Sequence, residues 1–524
     1  MKVPLNVRRF LDHAASIYGD KIGVIDQDGQ WTYREFKERA WRLTSALKAM
    51  GVQAGDRVAV LAYNNHPLLE AYYGVVQFGA VLVPLNIRLT LEEIAYIASD
   101  CQPKVLLFDS DFEAWAALLR GRLPSLSLVE IRIEGGHDGY QGYEELLAQA
   151  SPAPGPDVVD EDAVAEIFYT SGSTARPKGV ALTQRSLYLH ALQCGFGMGI
   201  DDTMVLLHTI PLFHVNGWGT PHYVTALGGT HVMLRRFIPA KVLELVERHR
   251  VTNAAFVPTM VGMLLSEPTR ETRDLSSLRQ MNVGGAPSPS SFVEASMAAL
   301  GGEYLGGYGL SESSPVVSVA RLKSSLREAP RELQDRLRGF AGLPMVGVEV
   351  RLEGPLGEDL PWDGESVGEL LVRADSVMQG YWNLPEETEA ALRGGWLHTG
   401  DMAFIHPEGY IKIVDRKKDI IISGGENISS AEIEDVLYGH PAVRECAVVG
   451  RPDEKWGEVV HAAVSLKPGA AAANEEILAY VQGRVASFKA PRTIEIWDEL
   501  PKTGTGKVLK TAIRSRLRQE AEGR

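Results

Sequence analysis

The sequence has few cysteines and no long apolar run, and these shortages exclude several classes of protein. Cys101, Cys194 and Cys446 are its three cysteines among 524 residues, and no CxxC or Cys/His spacing joins them. Neither a disulfide framework nor a zinc site is expected, and a reducing cytoplasm is the expected location. No uncharged run of about 18 apolar residues occurs, so no transmembrane segment is expected.

Three further absences concern secretion, nucleic-acid or membrane partners, and one class of nucleotide-binding loop. The start, MKVPLNVRRFLDHAAS, has neither an apolar h-region nor a cleavage motif, so no secretory leader is expected. Lys and Arg number 53 against 67 Asp and Glu, a net charge of −14, which argues against nucleic acid or an anionic membrane as the main partner. The run Gly504-Thr505-Gly506-Lys507 is followed by Val508, so it is not a Walker A motif.

The length and the hydrophobic pattern predict several folded units of the α/β class. A chain of 524 residues exceeds one ordinary domain. Residues 31–52 have a helical pattern, 56–65 and 104–110 have strand patterns, and 66–85 predict a helix and then a strand. The Pro-rich, acidic stretch 151–162 is a predicted linker. From Glu349 onward, short strands with turn residues predict a β-rich part.

The segment from Tyr169 to Val180 points most directly to chemistry. It is YTSGSTARPKGV, and the apolar AEIF precedes it. Hydroxyl groups, glycine backbone N–H groups and one lysine in a pliable loop suit the oxygens of a polyphosphate. The segment therefore predicts a phosphate-binding loop, although a solvated Ser/Thr turn has a similar composition.

This segment resembles the phosphate loop of the adenylate-forming (ANL) acyl-CoA synthetases, a superfamily that also contains peptide-synthetase adenylation domains and firefly luciferase. Later segments resemble further motifs of the family in the family's order, so the resemblance spans essentially the whole chain. They are PLFHVNG from Pro211, GGAP from Gly284, YGLSE from Tyr308, GWLHTGD from Gly395, DRKKD from Asp415, SGGENI from Ser423 and PKTGTGK from Pro501.

The resemblance implies a fold and a domain boundary. A large N-terminal domain over 1–415 would hold two α/β subdomains and a small β-rich subdomain, and 416–524 would form a small mobile α+β domain. The charge counts agree with a distinct C-terminal part, because 416–524 has 17 basic and 16 acidic residues whereas 1–415 has 36 and 51. Fatty-acid-activating relatives also suggest a homodimer, on which the composition is silent.

The resemblance assigns ATP, Mg²⁺ and CoA to residues in most of these motifs. Glu312 would hold Mg²⁺ with Thr170 nearby, the ring of Tyr308 would cover the adenine, and Asp401 would bind the ribose hydroxyls. Arg416 would add a second ribose or phosphate contact. The full set is Thr170, Ser171, Gly172, Ser173, Thr174, Lys178, Gly285, Ala286, Pro287, Gly307, Tyr308, Gly309, Ser311, Asp401, Arg416, Lys418, Gly424 and Gly425.

The catalytic residues implied by the resemblance are Lys507, His214 and Glu312. A carboxylate that approaches the α-phosphorus of ATP meets like charge, and the Lys507 cation would offset this repulsion. The attacking carboxylate is already ionised, so the first step needs no general base. The small domain would turn about Lys418, so that Lys507 leaves and the loop at Gly424 and Gly425 arrives for the second step.

The acid would be bound by His214, Val215, Trp218 and Gly284. Amino-acid-activating relatives usually carry an aspartate where His214 stands, which disfavours an amino acid as the substrate. Trp218 is either an ordinary core aromatic or the gate of an acyl tunnel, as in fatty-acid-activating relatives. Residues 214–218 and 308–317 most resemble those of medium- and long-chain fatty acyl-CoA synthetases, which implies a fatty acid of that length, with an aryl or short carboxylic acid as the alternative.

Rival functions and departures from the family pattern complete the prediction. A phosphotransferase would release ADP, a luciferase-like enzyme would need oxygen, and a catalytically silent adenylate sensor is the non-enzyme alternative.

Three residues depart from the family pattern. Ser311 replaces the usual threonine and keeps its hydroxyl. Ala175 replaces a glycine and Ala431 replaces a proline. Because neither change removes a functional group, both are expected to affect rates more than the type of reaction.

Overall fold

A computed structural model describes residues 3–132, 139–155, 159–170, 176–286, 288–424, 426–453, 455–502 and 508–522. The chain forms two compact units. The first unit comprises Met1–Val350, Val372–His398 and Gly409–Ile411, and the second comprises Arg351–Leu371, Thr399–Glu408 and Lys412–Arg524. The domain boundary between residues 415 and 416 stays a prediction.

The helices follow one another along the chain in both units. They are α1 (Arg8–Ile17), α2 (Tyr33–Ala49), α3 (His66–Gly74), α4 (Leu91–Cys101), α5 (Glu113–Arg122), α6 (Tyr143–Gln149), α7 (Gln184–Met198), α8 (Val215–Ala226), α9 (Pro239–His249), α10 (Pro258–Leu265), α11 (Ser290–Leu300), α12 (Arg331–Arg338), α13 (Pro385–Ala391), α14 (Ser430–Tyr438), α15 (Asn474–Gln482) and α16 (Lys510–Glu522).

The strands alternate with these helices. They are β1 (Ile22–Asp26), β2 (Gly29–Thr32), β3 (Arg57–Leu61), β4 (Val81–Pro84), β5 (Val105–Asp109), β6 (Ser127–Ile131), β7 (Gln141–Gly142), β8 (Val164–Thr170), β9 (Lys178–Thr183), β10 (Val205–His208), β11 (Thr230–Met233), β12 (Asn253–Phe256), β13 (Gln280–Gly284), β14 (Glu303–Gly309), β15 (Val316–Val319), β16 (Leu343–Pro344), β17 (Glu349–Glu353), β18 (Gly368–Arg373), β19 (Gly380–Tyr381), β20 (Leu397–Ile405), β21 (Ile411–Arg416), β22 (Ile421–Ser423), β23 (Glu426–Ile428), β24 (Val443–Asp453), β25 (Gly457–Leu466) and β26 (Thr493–Ile496).

Local sequence explains where the early elements begin. Helix α2 starts after Thr32, whose hydroxyl accepts a hydrogen bond from Glu35 N while the Glu35 carboxylate accepts one from Thr32 N. This reciprocal cap satisfies two backbone N–H groups that the helix itself leaves without partners. Phe36, Ala40 and Leu43 then form part of its buried stripe. The helix and strands predicted within residues 31–110 are confirmed.

A nine-stranded sheet in the first unit has the order β16-β15-β14-β13-β12-β10-β11-β1-β2. Its strands from β14 to β1 are parallel, and antiparallel strands close both edges. Leu207, Phe256 and Met281 belong to the apolar core on one face. The carboxyl ends of β10, β12, β13 and β14 therefore meet at one edge.

An eight-stranded sheet in the same unit has the order β19-β9-β8-β4-β3-β5-β6-β7. Strands β8 and β9 form an antiparallel pair in which Thr170 lies opposite Lys178, and β19 pairs with β9. The remaining described pairs of this sheet are parallel. Two large mixed sheets with intervening helices confirm the predicted α/β class.

Two smaller sheets contribute to the C-terminal part of the chain. One has the order β17-β18-β20-β21, and the other has the order β23-β22-β25-β24 with β26 paired to β25. Ile421, Ile433, Val448 and Val464 belong to a buried core of the second unit. Within the described ranges, no helix combines the length and the apolar composition needed to cross a bilayer.

A buried histidine carries positive charge in the first unit. His66 N donates to Asp26 Oδ2 at 2.8 Å, and the ring nitrogens lie 3.1 Å from Asp26 Oδ2 and 3.3 Å from Glu144 Oε1. Burial opposes the charge on His66, but the hydrogen bonds to Asp26 and Glu144 outweigh burial and raise its pKa to about 9.

We expect His66→Gln to destabilise the first unit in a pH-dependent way. Because the folded pKa lies above that of an unfolded histidine, the stabilisation is complete below about pH 6.5 and is lost as the pH rises through 9. The substitution should cost on the order of 1–3 kcal/mol at pH 6 and less at pH 10. Denaturant midpoints at both pH values measure this, with the exposed His13→Gln as the control. An equal loss at both pH values would contradict the assignment.

Candidate active site

Three predicted groups of residues follow parallel strands of the nine-stranded sheet. His214 to Trp218 come shortly after β10, Gly284 to Ala286 end and follow β13, and Gly307 to Glu312 end and follow β14. Gly284 lies directly opposite Gly307 in the ladder. The parallel order thus places these separate motifs along one edge, which is where ligands bind in open α/β sheets.

The segment after His214 forms a left-handed turn. Val215, Asn216, Gly217, Trp218 and Gly219 have φ angles of 44°, 40°, 55°, 70° and 86°. The His214 carbonyl accepts a hydrogen bond from Gly217 N at 3.1 Å. Left-handed backbone is unfavourable for residues other than glycine, and for a β-branched valine above all, so the surrounding structure must hold this turn. We call residues 215–219 the left-handed turn.

The left-handed turn brings Trp218 against the end of β13. A Cβ atom built at Gly284 would lie 3.2 Å from Trp218 Cη2 and 3.1 Å from Gly307 O. Glycine at 284 is what permits the indole to lie so close to the strand backbone. The structure therefore brings two of the predicted acid-binding residues, Trp218 and Gly284, into contact.

Glu312 is tied, through Tyr381, to the β8–β9 hairpin that flanks the predicted phosphate loop. Its Oε1 accepts a hydrogen bond from Tyr381 OH at 2.8 Å. Tyr381 on β19 pairs with Val180 of β9, and its ring centroid lies 5.3 Å from Lys178 Nζ. Burial raises the pKa of Tyr381, and the Glu312 carboxylate raises it further, so the phenol keeps its proton and donates.

Lys178 forms an ion pair with Glu387, and both side chains are partly buried. Thr170 lies opposite Lys178 in the β8–β9 ladder. The first unit therefore gathers a hydroxyl, a cation and a half-buried carboxylate around Tyr381. The hydroxyl and the cation suit phosphate oxygens, whereas the Thr170 and Glu312 oxygens are ligands of the type Mg²⁺ prefers.

The predicted ribose residues lie in the second unit. Asp401 on β20 is buried, and its Oδ1 is 2.8 Å from Nε of Arg416, whose side chain is 48% exposed. Lys418 is exposed in the turn after β21. Asp415 and Asp419, which flank this charged run, are bound to Ser430 at the start of α14 and to Arg514 of α16.

Gly424 begins the loop assigned to the second half-reaction. Its φ of 60° is left-handed, and a built Cβ would lie 2.6 Å from Trp456 Cε3. Gly424 N also donates to Trp456 O at 2.8 Å. Any larger residue at 424 would meet both the strained backbone and the indole.

Several predicted residues lie outside the described residues. They are Ser171, Gly172, Ser173, Thr174, Pro287, Gly425 and Lys507, together with Ala175. The remaining predicted residues have the positions given above, with Gly285 and Ala286 exposed after β13, Tyr308 half-buried on β14 and Ser311 buried beside Glu312. The roles assigned to all of them stay predictions.

Sequence reasoning missed Tyr381 and a buried group behind the left-handed turn. Tyr381 stands in the segment GYW, 69 residues after Glu312, and was included only as part of a β-rich stretch. Asn216 Nδ2 donates to Glu166 Oε2 at 3.0 Å, and Glu166 Oε1 is 2.7 Å from His222 Nε2. The sequence offered one indication of this group, the acidic residue in the apolar run AEIF.

We expect Gly284→Ala to destabilise the first unit by about 1–3 kcal/mol, because the added methyl overpacks against Trp218. The cost should shrink when Trp218→Leu is also present, while a remainder due to Gly307 O persists. Thermal unfolding of the two single variants and the double variant measures this coupling. Gly262→Ala, whose Cβ meets nothing within 4 Å, is the matched control. Equal losses in both backgrounds would show that the indole is not the obstacle.

Comparison with known proteins identifies the family of this chain. Residues 11–382 match the family model for the AMP-binding enzyme, and 432–507 match that for the AMP-binding enzyme C-terminal domain. The chain is 40% identical over 489 residues to a feruloyl-CoA synthase of Amycolatopsis sp, covering 93% of this chain and 94% of that protein. It is 38% identical over 530 residues to a long-chain-fatty-acid–CoA ligase of Thermus thermophilus, covering 99% of this chain and 96% of that protein.

A solved structure extends the likeness to the whole fold. The crystal structure of the anthranilate CoA ligase AuaEII in complex with anthranoyl-AMP has a TM-score of 0.90 and 27% sequence identity, and the match covers 100% of this chain and 99% of that one. The chain therefore belongs to the adenylate-forming superfamily and is an acyl-CoA synthetase, an AMP-forming acid–thiol ligase that uses ATP, Mg²⁺ and CoA.

Proposed function

We propose that the acid is a medium- or long-chain fatty acid and that Trp218 gates the space for its tail. The observation that carries this proposal is the position of Trp218 on Gly284, at the strand edge that His214 also follows. An indole that rests on glycine has no side chain locking it in place on that side. Rotation of one ring would then open space for a hydrocarbon chain.

The charges near the left-handed turn agree with an apolar substrate tail. Glu166 is fully buried there, and each of its carboxylate oxygens has a partner, Asn216 for one and His222 for the other. A carboxylate with both oxygens engaged does not require a cationic group from the substrate. His214, rather than an acid, stands at the position that amino-acid-activating relatives use for the substrate ammonium.

An aryl acid is the second candidate, and the same contact favours it. The flat face of an indole also suits stacking on an aromatic ring. The feruloyl-CoA synthase of Amycolatopsis sp, at 40% identity, is named for an aryl substrate. The two candidates differ in the length and shape of the acid that the pocket accepts.

In the first half-reaction the acid carboxylate attacks the α-phosphorus of ATP, and the bond to pyrophosphate breaks. His214 orients the carboxylate, while Lys178 and the phosphate loop at Ser171–Thr174 hold the phosphates. Thr170 and Glu312 would hold Mg²⁺, which supplies positive charge beside the phosphate oxygens. Lys507 adds a cation at the oxyanions that develop on the α-phosphate. The products are acyl-AMP and pyrophosphate.

In the second half-reaction the CoA thiolate attacks the acyl carbon and AMP leaves. Asp401 and Arg416 hold the ribose through both steps. The loop at Gly424 and Gly425 lines the path of the pantetheine arm, since its small residues let a thin chain pass. The small domain turns about Lys418 between the steps.

The proposal also includes a cytoplasmic location and a homodimer. The three buried, unbridged cysteines agree with a cytoplasmic location.

An acid panel tests the proposed substrate. We expect AMP release with ATP, Mg²⁺ and CoA to require an added acid and to be fastest, by kcat/KM, with acids of medium or long chain. The panel runs from acetate to palmitate and includes benzoate, phenylacetate and ferulate. A maximum at an aryl acid would replace the fatty acid by the second candidate. No AMP with any acid, despite tight ATP binding, would favour a substrate outside the panel or the silent sensor.

Separated half-reactions test the role of Lys507. Lys507→Ala should lower acyl-AMP formation by about 10²-fold or more, on the scale of losing one transition-state charge contact. It should largely spare thioester formation from supplied acyl-AMP and CoA. Lys502→Ala is the matched control, since Lys502 pairs with Glu445 on the surface of the second unit. Equal loss of both steps in Lys507→Ala would contradict the assignment.

A further inference from the structure

We propose that Glu166, with Asn216 and His222, is a positioning group that holds the left-handed turn and so determines which acids the enzyme accepts. The inference rests on the proposed role of Trp218 in acid binding. Glu166 has no place among the nucleotide or acid residues identified from the sequence. It acts through the turn and not by touching the substrate.

The contacts define the group. Glu166 Oε2 accepts from Asn216 Nδ2 at 3.0 Å, and Glu166 Oε1 lies 2.7 Å from His222 Nε2. All three side chains are at most 1% exposed. A buried carboxylate is costly unless it is fully hydrogen-bonded, so these two contacts fix where Glu166 and its partners can sit.

Asn216 connects Glu166 to the left-handed turn through its own hydrogen bonds. Its Oδ1 accepts from Gly219 N at 2.6 Å, which closes the turn immediately after Trp218. The Asn216 carbonyl also accepts from Thr220 Oγ1 at 3.4 Å. One side chain thereby ties the backbone on both sides of Trp218 to a charge buried on β8. Three of the five left-handed residues are not glycine, so the turn needs such an anchor.

Glu166 and His222 lie on two elements that carry predicted site residues. Glu166 and Thr170 lie on the same strand, β8, which leads into the phosphate loop. His222 lies on α8, the helix that continues from the turn, and its ring packs edge-on against Tyr72 and Tyr73. The group therefore joins the strand of the phosphate loop to both ends of the segment that carries Trp218.

The direction of the Asn216–Glu166 hydrogen bond allows a charge-swap test. Asn216→Asp keeps the shape and the acceptor for Gly219 N but places a carboxylate against Glu166. Adding Glu166→Gln restores the bond in the reverse direction, because the introduced amide can donate to the introduced carboxylate while its oxygen accepts from His222. Volume is conserved in every variant, so packing changes little.

The readout is the ratio of kcat/KM between two acids of different length that the wild type accepts, with KM for ATP measured alongside. We expect Asn216→Asp to change the ratio about tenfold, on the scale of losing a buried hydrogen bond to a charged group. The swapped pair should return the ratio to within about threefold of the wild type. KM for ATP should stay nearly constant in both, and Asn216→Asp should add no further change to the ratio when Trp218→Ala is present.

One control and one substitute variant separate positioning from general stability. Tyr143→Phe removes a hydrogen bond to another buried carboxylate, Glu70, and should lower the unfolding temperature without moving the ratio. If Asn216→Asp does not fold, Glu166→Leu fills the same volume without either hydrogen bond and should move the ratio as well. An unchanged ratio in the folded variant, no recovery in the swap, or the same shift without Trp218 would overturn the proposal. A wild type that prefers aryl acids would instead contradict the proposed substrate and leave the ratio test usable with aryl acids.

Discussion

The parallel order of β10, β12, β13 and β14 is the constraint on which the contact between Trp218 and Gly284 depends. Parallel strands end at one edge, so segments about 20 to 100 residues apart in sequence arrive side by side there. The register of β13 and β14 sets Gly284 opposite Gly307, and this bare stretch of backbone receives the indole of Trp218.

The charged residues of the candidate site have protein partners of their own. Lys178 pairs with Glu387, Glu312 accepts from Tyr381, and Arg416 pairs with Asp401. A phosphate that binds Lys178 must compete with Glu387, and a ribose that binds Asp401 must share it with Arg416. Such exchanges lower the net gain from each contact, because one hydrogen bond replaces another. They also keep each side chain oriented, which reduces the conformational entropy lost on binding.

Local patterns predicted the elements and the strand-end motifs, whereas long-range contacts were out of reach. Helix α2 is evident from its Thr32 cap and its apolar stripe, and Lys178 from its glycine- and hydroxyl-rich neighbourhood. Tyr381 meets Glu312 across 69 residues, and Glu166 meets His222 across 56. No periodicity specifies such pairs, since they exist only once the sheets have assembled. The left-handed turn is likewise hidden, because two glycines in NGWG suggest a turn but not its length.

Overall sequence identity says little about which acid is used, because the elements that form the fold and the residues proposed to contact the acid are different parts of the chain. A feruloyl-CoA synthase at 40% and a long-chain-fatty-acid–CoA ligase at 38% share nearly the whole chain with this enzyme. Most of that length forms the strands and helices, whose buried cores tolerate little change whichever acid is used. In the proposed function the acid instead meets a few side chains after β10 and β13. Trp218 is the largest of these side chains, and Asn216 in the same turn is hydrogen-bonded to Glu166. Under the two proposals above, a change at Trp218 or at Glu166 would therefore alter the acid-binding residues while the sheets stay the same.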